Sequence, residues 1–304
     1  MKRAFLFAGQ GSQYVGMGKD LYENFDVAKK MFDEAEKIIP NIKKVCFEGP
    51  EEDLKLTKYT QPGIFIVSAI LNEILISKGI TPDIVAGFSL GEYSALYSAG
   101  CFDYITGIYL IKERAEAMNE SAQNNPGTMA AIIGLEDSII EEVCKQITDE
   151  GEIVVPCNYN AYSQLVISGT LKGVEKAVEI LKSKNAKRAV ILKVSGAFHS
   201  PLMNSAKERL KNYIDKIEIK KPKIPIVMNV SANIENDPAV IKELMIKQVV
   251  SPVRWKESMK KLIELNIEEY YELGPGKVLA GLMKNIKNDI QVKNVQNLED
   301  IKNL

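Results

Sequence analysis

Short apolar runs alternate along the chain with longer amphipathic segments. Arg3–Phe7 and Ile84–Gly87 are short and mostly apolar, which predicts buried strands. Segments 61–78 and 104–121 repeat apolar residues at helical spacing, which predicts two long helices. The chain therefore contains predicted strands that are followed by predicted helices.

The segment 127–194 has its own pattern of strands and helices. It begins at the last residue of the turn-forming run Asn124-Asn125-Pro126-Gly127. Its pattern predicts strands at 128–134, 153–158, 164–168 and 188–194, with helices at 136–148 and 171–183. The order β-α-β-β-α-β is that of a ferredoxin-like unit. We therefore predict that 127–194 is a small subdomain inserted into a parent domain formed by residues 1–126 and 195–304.

The predicted strand at Ile84–Gly87 ends in Gly-x-Ser-x-Gly, which places Ser89 between Gly87 and Gly91. A predicted helix at 93–99 follows, so the segment has the form of a nucleophile elbow, a sharp turn that presents a serine. The first N–H groups of such a helix are free to stabilise an oxyanion. The pentapeptide alone is weak evidence, and the flanking strand and helix strengthen it.

A catalytic serine needs a base, and His199 is the only histidine in the chain. Histidine is the usual base at neutral pH, so Ser89 and His199 form a candidate pair for acyl transfer. Three aspartates lie between them in the chain, as in an α/β-hydrolase: Asp103, Asp137 and Asp149. Each fits better as a helix cap or surface charge. The residues alone therefore leave hydrolase and transferase open, as well as the identity of a third catalytic group.

Two further polar residues have ordinary interpretations from spacing alone. The loop Ala8-Gly9-Gln10-Gly11-Ser12-Gln13 follows the first strand but matches neither a dinucleotide-binding loop nor a P-loop. This spacing favours a plain turn, in which Gln10 is free to offer its side chain or backbone N–H to a site. Arg114 is flanked by Glu113 and Glu116 in a predicted helix, which favours a surface arginine with helical ion pairs.

Composition and charge argue against several classes of protein. A formal net charge of −1 and the absence of a dense basic run give no case for a nucleic-acid partner. No segment approaches the roughly 18 uncharged apolar residues of a membrane span, and the N-terminal apolar run is too short for a secretory signal. The four cysteines are widely separated, which predicts reduced thiols in the cytoplasm rather than disulfides or a zinc site.

Seven groups of residues occur in an order shared with one family. They are Phe7-Ala8-Gly9-Gln10-Gly11-Ser12-Gln13, Gly87-Phe88-Ser89-Leu90-Gly91-Glu92, Arg114, Cys157-Asn158-Tyr159-Asn160-Ala161, Gly196-Ala197-Phe198-His199-Ser200, Gln248 with Pro252-Val253-Arg254-Trp255, and Glu272-Leu273-Gly274-Pro275-Gly276. Together they resemble the malonyl-CoA:acyl-carrier-protein transacylase family of fatty-acid synthesis and the acyltransferase domains of polyketide synthases. The resemblance covers essentially the whole chain. It implies an α/β-hydrolase-like core with a parallel sheet and an inserted ferredoxin-like subdomain.

The resemblance implies a role for each matching residue. Ser89 would be the nucleophile that carries malonyl as an ester, and His199 the general base and then acid. The backbone carbonyl of Gln248 would orient the imidazole, which explains the absence of an acidic third member. The backbone N–H groups of Gln10 and Leu90 would form the oxyanion hole.

Arg114 would bind the free carboxylate of malonyl, for which a planar guanidinium suits better than lysine. The implied reaction is a ping-pong transfer from malonyl-CoA to the phosphopantetheine thiol of acyl carrier protein, with no metal or bound cofactor. Phe88 departs from the family, which commonly has histidine there. We expect catalysis to survive with a changed contact behind the nucleophile, which leaves open any hydrogen bond there and the acyl-group selectivity. Three alternatives remain: a serine hydrolase or thioesterase, an acyltransferase for another acyl-CoA in polyketide synthesis, and a non-catalytic carrier-protein-binding domain. The last has no need of both Ser89 and His199.

Overall fold

A computed structural model describes all 304 residues of the chain, and its strands and helices alternate over most of the length. The strands are β1 (Arg3–Phe7), β2 (Ile84–Gly87), β3 (Thr128–Ile133), β4 (Val154–Ala161), β5 (Gln164–Gly169), β6 (Arg188–Ile191), β7 (Ile226–Val227), β8 (Ile234–Glu235), β9 (Glu269–Leu273) and β10 (Val292–Val295). The helices are α1 (Lys19–Asn24), α2 (Asp26–Ile38), α3 (Ile42–Glu48), α4 (Glu51–Leu54), α5 (Thr57–Ser77), α6 (Gly91–Ser98), α7 (Tyr104–Asn124), α8 (Asp137–Asp149), α9 (Leu171–Ser183), α10 (Asn204–Ile214), α11 (Pro238–Lys247), α12 (Trp255–Glu264), α13 (Val278–Ile286) and α14 (Leu298–Lys302). Short 3-10 turns cover Pro201–Met203 and Gln248–Val250.

The larger sheet has the strand order β10-β9-β1-β2-β7-β8 and is parallel except for the pairing of β7 with β8. β1 lies in its middle, and its side chains alternate between two cores. Phe5 and Phe7 belong to the large cluster on one face, and Ala4 and Leu6 to a second cluster on the other. A parallel sheet covered on both faces in this way confirms the predicted α/β class.

The smaller sheet is antiparallel throughout and has the order β4-β5-β3-β6. Helices α8 and α9 pack against it and close a separate hydrophobic cluster. The alternation β-α-β-β-α-β and this strand order confirm the predicted ferredoxin-like subdomain. Because this sheet has its own core, we propose that residues 127–194 form the inserted unit and residues 1–126 and 195–304 the discontinuous catalytic core.

Helix α5 is the one segment with the length and apolar composition of a membrane span. Its most apolar window is 83% buried inside the protein. Ile64, Phe65 and Ile70, for example, are completely buried in the large cluster. Burial on all sides is the property of a core helix, and it explains why this helix is apolar around its whole circumference.

Several elements differ in extent from the sequence prediction. Apolar residues at helical spacing over 21–39 predict one helix, but this segment forms two, because Phe25 between α1 and α2 is extended, with φ −131° and ψ 125°. The segment 202–217 after His199 also predicts a helix, and it begins as the 3-10 turn Pro201–Met203 and continues as α10. The pattern gave no prediction for the elements α3, α4, β8, β10 and α14, all of which have seven residues or fewer.

Candidate active site

The strand, turn and helix predicted around Ser89 are all present. β2 ends at Gly87, α6 begins at Gly91, and Ser89 between them has a left-handed backbone with φ +51°. A Cβ atom on Gly87 would lie 2.0 Å from the backbone of Gly91, and one on Gly91 would lie 2.1 Å from the oxygen of Phe7. Only glycine fits at these two positions, and the turn then holds Ser89 at the end of β2.

Ser89 and His199 are 110 residues apart in sequence and form a hydrogen bond, with 2.8 Å between Oγ and Nε2. Nδ1 of His199 lies 2.9 Å from the backbone oxygen of Gln248 and 3.1 Å from that of Ser251. Carbonyl oxygens only accept hydrogen bonds, so Nδ1 carries the proton and Nε2 is free to accept the serine proton. The Gln248 carbonyl was implied by the family resemblance. The Ser251 carbonyl was not predicted, and the 3-10 turn at Gln248–Val250 brings it to the same nitrogen.

The imidazole is held neutral. Burial, and after it the positive charge of Arg114, lower the pKa of His199 to about 4. The two carbonyl partners act in the opposite direction and are outweighed. The base is therefore unprotonated at neutral pH, which is the state that removes a proton from Ser89.

Arg114 lies in the site and is 1% exposed, so its interpretation as a surface arginine is wrong. Its Nη2 donates to Ser89 Oγ at 3.1 Å and to Gln248 Oε1 at 3.0 Å, while Nη1 donates to Gln61 Oε1 at 2.8 Å. Because Ser89 Oγ accepts from Arg114, its own proton is directed to His199. The guanidinium of Arg114 is therefore in direct contact with the nucleophilic oxygen of Ser89.

The carboxylates beside Arg114 in sequence bind another arginine. Arg209 of α10 donates to Glu113 at 2.6 Å and to Glu116 and Glu120 at 2.8 Å each. Residues 113, 116 and 120 therefore form the outer face of α7, and Arg114 lies on its inner face with Ile111 and Met118. This apolar stripe at helical spacing was a signal in the sequence that the neighbouring glutamates obscured.

The backbone N–H groups of Gln10 and Leu90 have no hydrogen-bond partner in the protein. Leu90 follows the nucleophile at the start of α6, and Gln10 lines the same pocket as Ser89 and His199. The loop before Gln10 approaches the elbow closely, since a Cβ on Gly9 would lie 2.6 Å from the oxygen of Phe88. The loop is therefore part of the site rather than a plain turn, and both N–H groups remain available for an oxyanion.

The pocket above Ser89 has a volume of about 240 Å³ and is lined from both parts of the fold. The core contributes Phe88 and Leu282, and the 127–194 segment contributes Val166, Asn158 and Asn160. Apolar walls with a few polar groups are typical of a pocket that takes a small organic substrate. Ser89 and His199 both line this pocket, so a substrate that enters it reaches the catalytic pair.

Phe88 replaces the family's histidine with an aromatic contact. Its ring packs against Trp255 with centroids 5.5 Å apart and planes at 67°, an edge-to-face arrangement. The same ring lines the pocket. The predicted change behind the nucleophile is therefore the presence of an apolar aromatic pair.

Three buried polar side chains around the elbow were missed by the sequence analysis: Asn229, Glu92 and the side chain of Gln248. Gln248 Nε2 donates to the backbone carbonyl oxygen of Ser89 and to Glu92 Oε1, both at 2.8 Å. The backbone N–H of Asn229 donates to the other oxygen of Glu92. Burial raises the pKa of Glu92 to about 8 in spite of these hydrogen bonds. The elbow is thus surrounded by a connected network of amides and one carboxyl group.

The sequence model of one family, described as the acyl transferase domain, matches residues 4–298. The chain belongs to this family. The protein is 45% identical over 301 residues to the malonyl CoA-acyl carrier protein transacylase of Bacillus subtilis (strain 168), across 99% of this chain and 95% of that protein. It is 42% identical to the protein of the same name from Synechocystis sp., across the full length of both.

Solved structures agree with this family membership. An acyl-carrier-protein S-malonyltransferase from Burkholderia pseudomallei 1710b has a TM-score of 0.95 and 39% identity, and covers 100% of this chain and 99% of its own. A malonyl-transacylase solved in complex with a holo type II PKS acyl-carrier protein has a TM-score of 0.95 and 36% identity, over 99% of this chain and 98% of its own. The predicted resemblance to malonyl transacylases is confirmed.

Proposed function

We propose that this protein transfers a malonyl group from malonyl-CoA to the phosphopantetheine thiol of acyl carrier protein and so supplies fatty-acid biosynthesis. The single observation that carries the proposal is the position of Arg114, a buried cation 3.1 Å from the nucleophilic oxygen of Ser89. A malonyl thioester ends in a carboxylate, and an arginine beside the nucleophile selects such an acyl group. The names of the full-length relatives support the same substrate and acceptor.

The first half-reaction acylates the enzyme. His199 Nε2 takes the proton of Ser89 Oγ as the oxygen attacks the thioester carbonyl. The N–H groups of Gln10 and Leu90 donate to the oxyanion that forms. The intermediate collapses, the C–S bond breaks, and the coenzyme A thiolate takes the proton from His199.

The second half-reaction returns the enzyme to its starting state. The phosphopantetheine thiol of the carrier protein gives its proton to His199 and attacks the seryl ester. The same N–H groups hold the second oxyanion, and the ester C–O bond breaks as His199 protonates Ser89 Oγ. Acid and base roles alternate on one nitrogen, whose neighbour Nδ1 stays bonded to the carbonyls of Gln248 and Ser251.

A serine hydrolase is the alternative from the sequence that shares Ser89 and His199. A hydrolase of neutral esters has no use for a buried arginine beside its nucleophile, so the site favours the transferase. We also propose that the protein acts in the cytoplasm. All four cysteines are free and buried, as is usual in a reducing compartment.

The test is an acyl-transfer assay with labelled malonyl-CoA and holo acyl carrier protein. We expect label to appear on the carrier protein faster than as free malonate, and to require the phosphopantetheine thiol. Release of free malonate at the same rate with and without carrier protein would favour the hydrolase. Omission of the phosphopantetheine arm (apo carrier protein) is the matched control and leaves the carrier unlabelled.

A further inference from the structure

Arg114 is a buried cation without a counter-ion. Its side chain is 1% exposed, and no carboxylate oxygen lies within the 4.0 Å of an ion pair. By contrast, Arg209 on the outer side of α7 pairs with three glutamates. Burial of an unpaired charge is costly, so the fold carries an unfavourable contribution here that a bound carboxylate would relieve.

Neutral groups hold the guanidinium instead. The side-chain oxygens of Gln61 and Gln248 accept from Nη1 and Nη2 at 2.8 and 3.0 Å. The ring of Tyr93 lies 5.4 Å from the guanidinium carbon. Arg114 Nε is buried and has no hydrogen-bond partner. These contacts orient the cation and leave its full charge in place.

One buried acid, Glu92, is linked to Arg114 only through an amide. Glu92 contacts Gln248 Nε2, and Gln248 Oε1 in turn contacts Arg114. Because burial raises the pKa of Glu92 to about 8, this carboxyl group carries little negative charge at neutral pH. No ion pair joins Glu92 to Arg114, and their Coulombic interaction acts across the intervening amide.

We propose that Gln61 and Gln248 preserve specificity because the oxygens they present to Arg114 carry no charge, so that the charge of Arg114 is reserved for the carboxylate of the acyl group. The inference rests on the proposed malonyl transfer. It assigns to two side chains a role that depends on their being amides and not acids. A carboxylate at either position would form an internal ion pair that takes the place of the substrate carboxylate.

Gln61 is the better position to test this idea. Its Nε2 contacts only Gln10 Oε1 at 3.2 Å and Met118 Sδ at 3.5 Å, so loss of this donor disturbs little. Gln10 is exposed, and its amide can turn to donate to a carboxylate at position 61. The side-chain amide of Gln248, by contrast, also donates to the backbone oxygen of Ser89. A substitution of Gln248 would therefore disturb the elbow itself.

The experiment compares Gln61→Glu with Gln61→Met, which has a similar length and neither charge nor strong acceptor. For wild type and both variants, the rates of acyl-enzyme formation with malonyl-CoA and acetyl-CoA are followed by intact mass, and folding by circular dichroism. We expect Gln61→Glu to lower the malonyl-to-acetyl ratio of kcat/KM by about 100-fold, the worth of one charged hydrogen-bonded contact. We expect Gln61→Met to keep that ratio within about 5-fold of wild type, since the charge of Arg114 stays available.

Two outcomes would overturn the inference. One is a wild-type ratio in folded Gln61→Glu, and the other is an equal fall of the ratio in Gln61→Met, which would mean that packing alone is responsible. A second comparison removes the dependence on a single variant: in an Arg114→Ala background, Gln61→Glu should leave the ratio unchanged. If the wild type forms no malonyl ester at all, the proposed function fails and the inference fails with it, a result distinct from the two changes of ratio described above.

Discussion

The side-chain oxygen of Asn229 accepts a hydrogen bond from the backbone N–H of Ser89 at 2.7 Å. Its Nδ2 donates at 2.6 Å to the oxygen of Gly87, so that one amide spans the turn from strand to nucleophile. Ser89 has φ +51°, a conformation that non-glycine residues adopt only when their surroundings impose it. Asn229, 99% buried and fixed by Glu92, is the residue that imposes it.

We expect Asn229→Ala to reduce the kcat of acyl-enzyme formation by about 10- to 100-fold with little change in KM. The substrate pocket is intact in this variant, but Ser89 Oγ is less accurately placed against His199. Initial rates over a range of malonyl-CoA concentrations separate the two constants. Asn233→Ala is the matched control, because Asn233 lies in the same loop, is exposed and has no side-chain hydrogen bond in the structure. A normal kcat in folded Asn229→Ala would show that the turn keeps Ser89 in place without this side chain.

Loss of the Arg114 side chain should change the selectivity between acyl groups, while the protein still folds. We expect Arg114→Ala to lower kcat/KM for malonyl-CoA by about 100-fold or more relative to acetyl-CoA, since the malonyl carboxylate loses a charged partner. Competition between the two thioesters, with the products weighed as acyl-enzymes, measures the ratio directly. Arg209→Ala is the control on the opposite, outer face of α7, because it breaks ion pairs to Glu113 and Glu116 outside the site. An unchanged ratio in Arg114→Ala would refute the role of Arg114.

The depressed pKa of His199 predicts an unusual pH profile. The base acts in its neutral form, and its pKa is lowered to about 4, so kcat/KM for acylation should stay level from pH 7 down to about pH 5. It should fall as pH drops through about 4, where the imidazole becomes protonated. An ordinary histidine would already lose half of its activity near pH 6.5. Circular dichroism at each pH shows that the protein is still folded.

A variant checks the cause of this shift. The charge of Arg114 is the second contribution to the lowered pKa of His199 after burial. Arg114→Ala should therefore move the acid limb of the profile to higher pH. A midpoint near 6.5 in the wild type would contradict the neutral, buried base.

The glycines of the elbow should be irreplaceable for steric reasons. A Cβ on Gly91 would lie 2.1 Å from the oxygen of Phe7, inside the central sheet, and backbone cannot easily move there. We expect Gly91→Ala to lower the free energy of unfolding by about 3 kcal/mol or more in urea denaturation. Gly281→Ala is the control, since Gly281 is an exposed helical glycine with no atom within 4 Å of its Cβ position, and it should gain about 0.5–1 kcal/mol. Equal stability of both variants would contradict the close approach at the elbow.

The sequence predicted those parts of the site that local geometry dictates. The glycines on either side of Ser89 follow from a turn of five residues, and helix α9 has the predicted bounds because Thr170 caps it. A sole histidine had to be the base. The carbonyl of Gln248 and the carboxylate role of Arg114 came from the resemblance to a family, and the structure places both in contact with the catalytic pair.

The remaining parts depend on contacts between distant segments. Gln61 meets Arg114 across 53 positions, and Asn229 meets Ser89 across 140, so no local pattern predicts either pair. Arg114 itself was misplaced because Glu113 and Glu116 suggested helical ion pairs, whereas both bind Arg209 on the neighbouring helix. Strand β10 was missed because Val292–Val295 is a short edge strand whose two central residues, Lys293 and Asn294, are polar, so it shows neither an apolar run nor strict alternation.

The central claim is that Ser89 carries malonate as an ester between coenzyme A and a carrier protein. The most direct measurement is the intact mass of the protein after incubation with malonyl-CoA, with Ser89→Ala as the companion sample. The account predicts one malonyl adduct on the wild type, removed on addition of holo acyl carrier protein, and no adduct on Ser89→Ala. A wild type without an adduct, or an adduct of equal yield on Ser89→Ala, would contradict it.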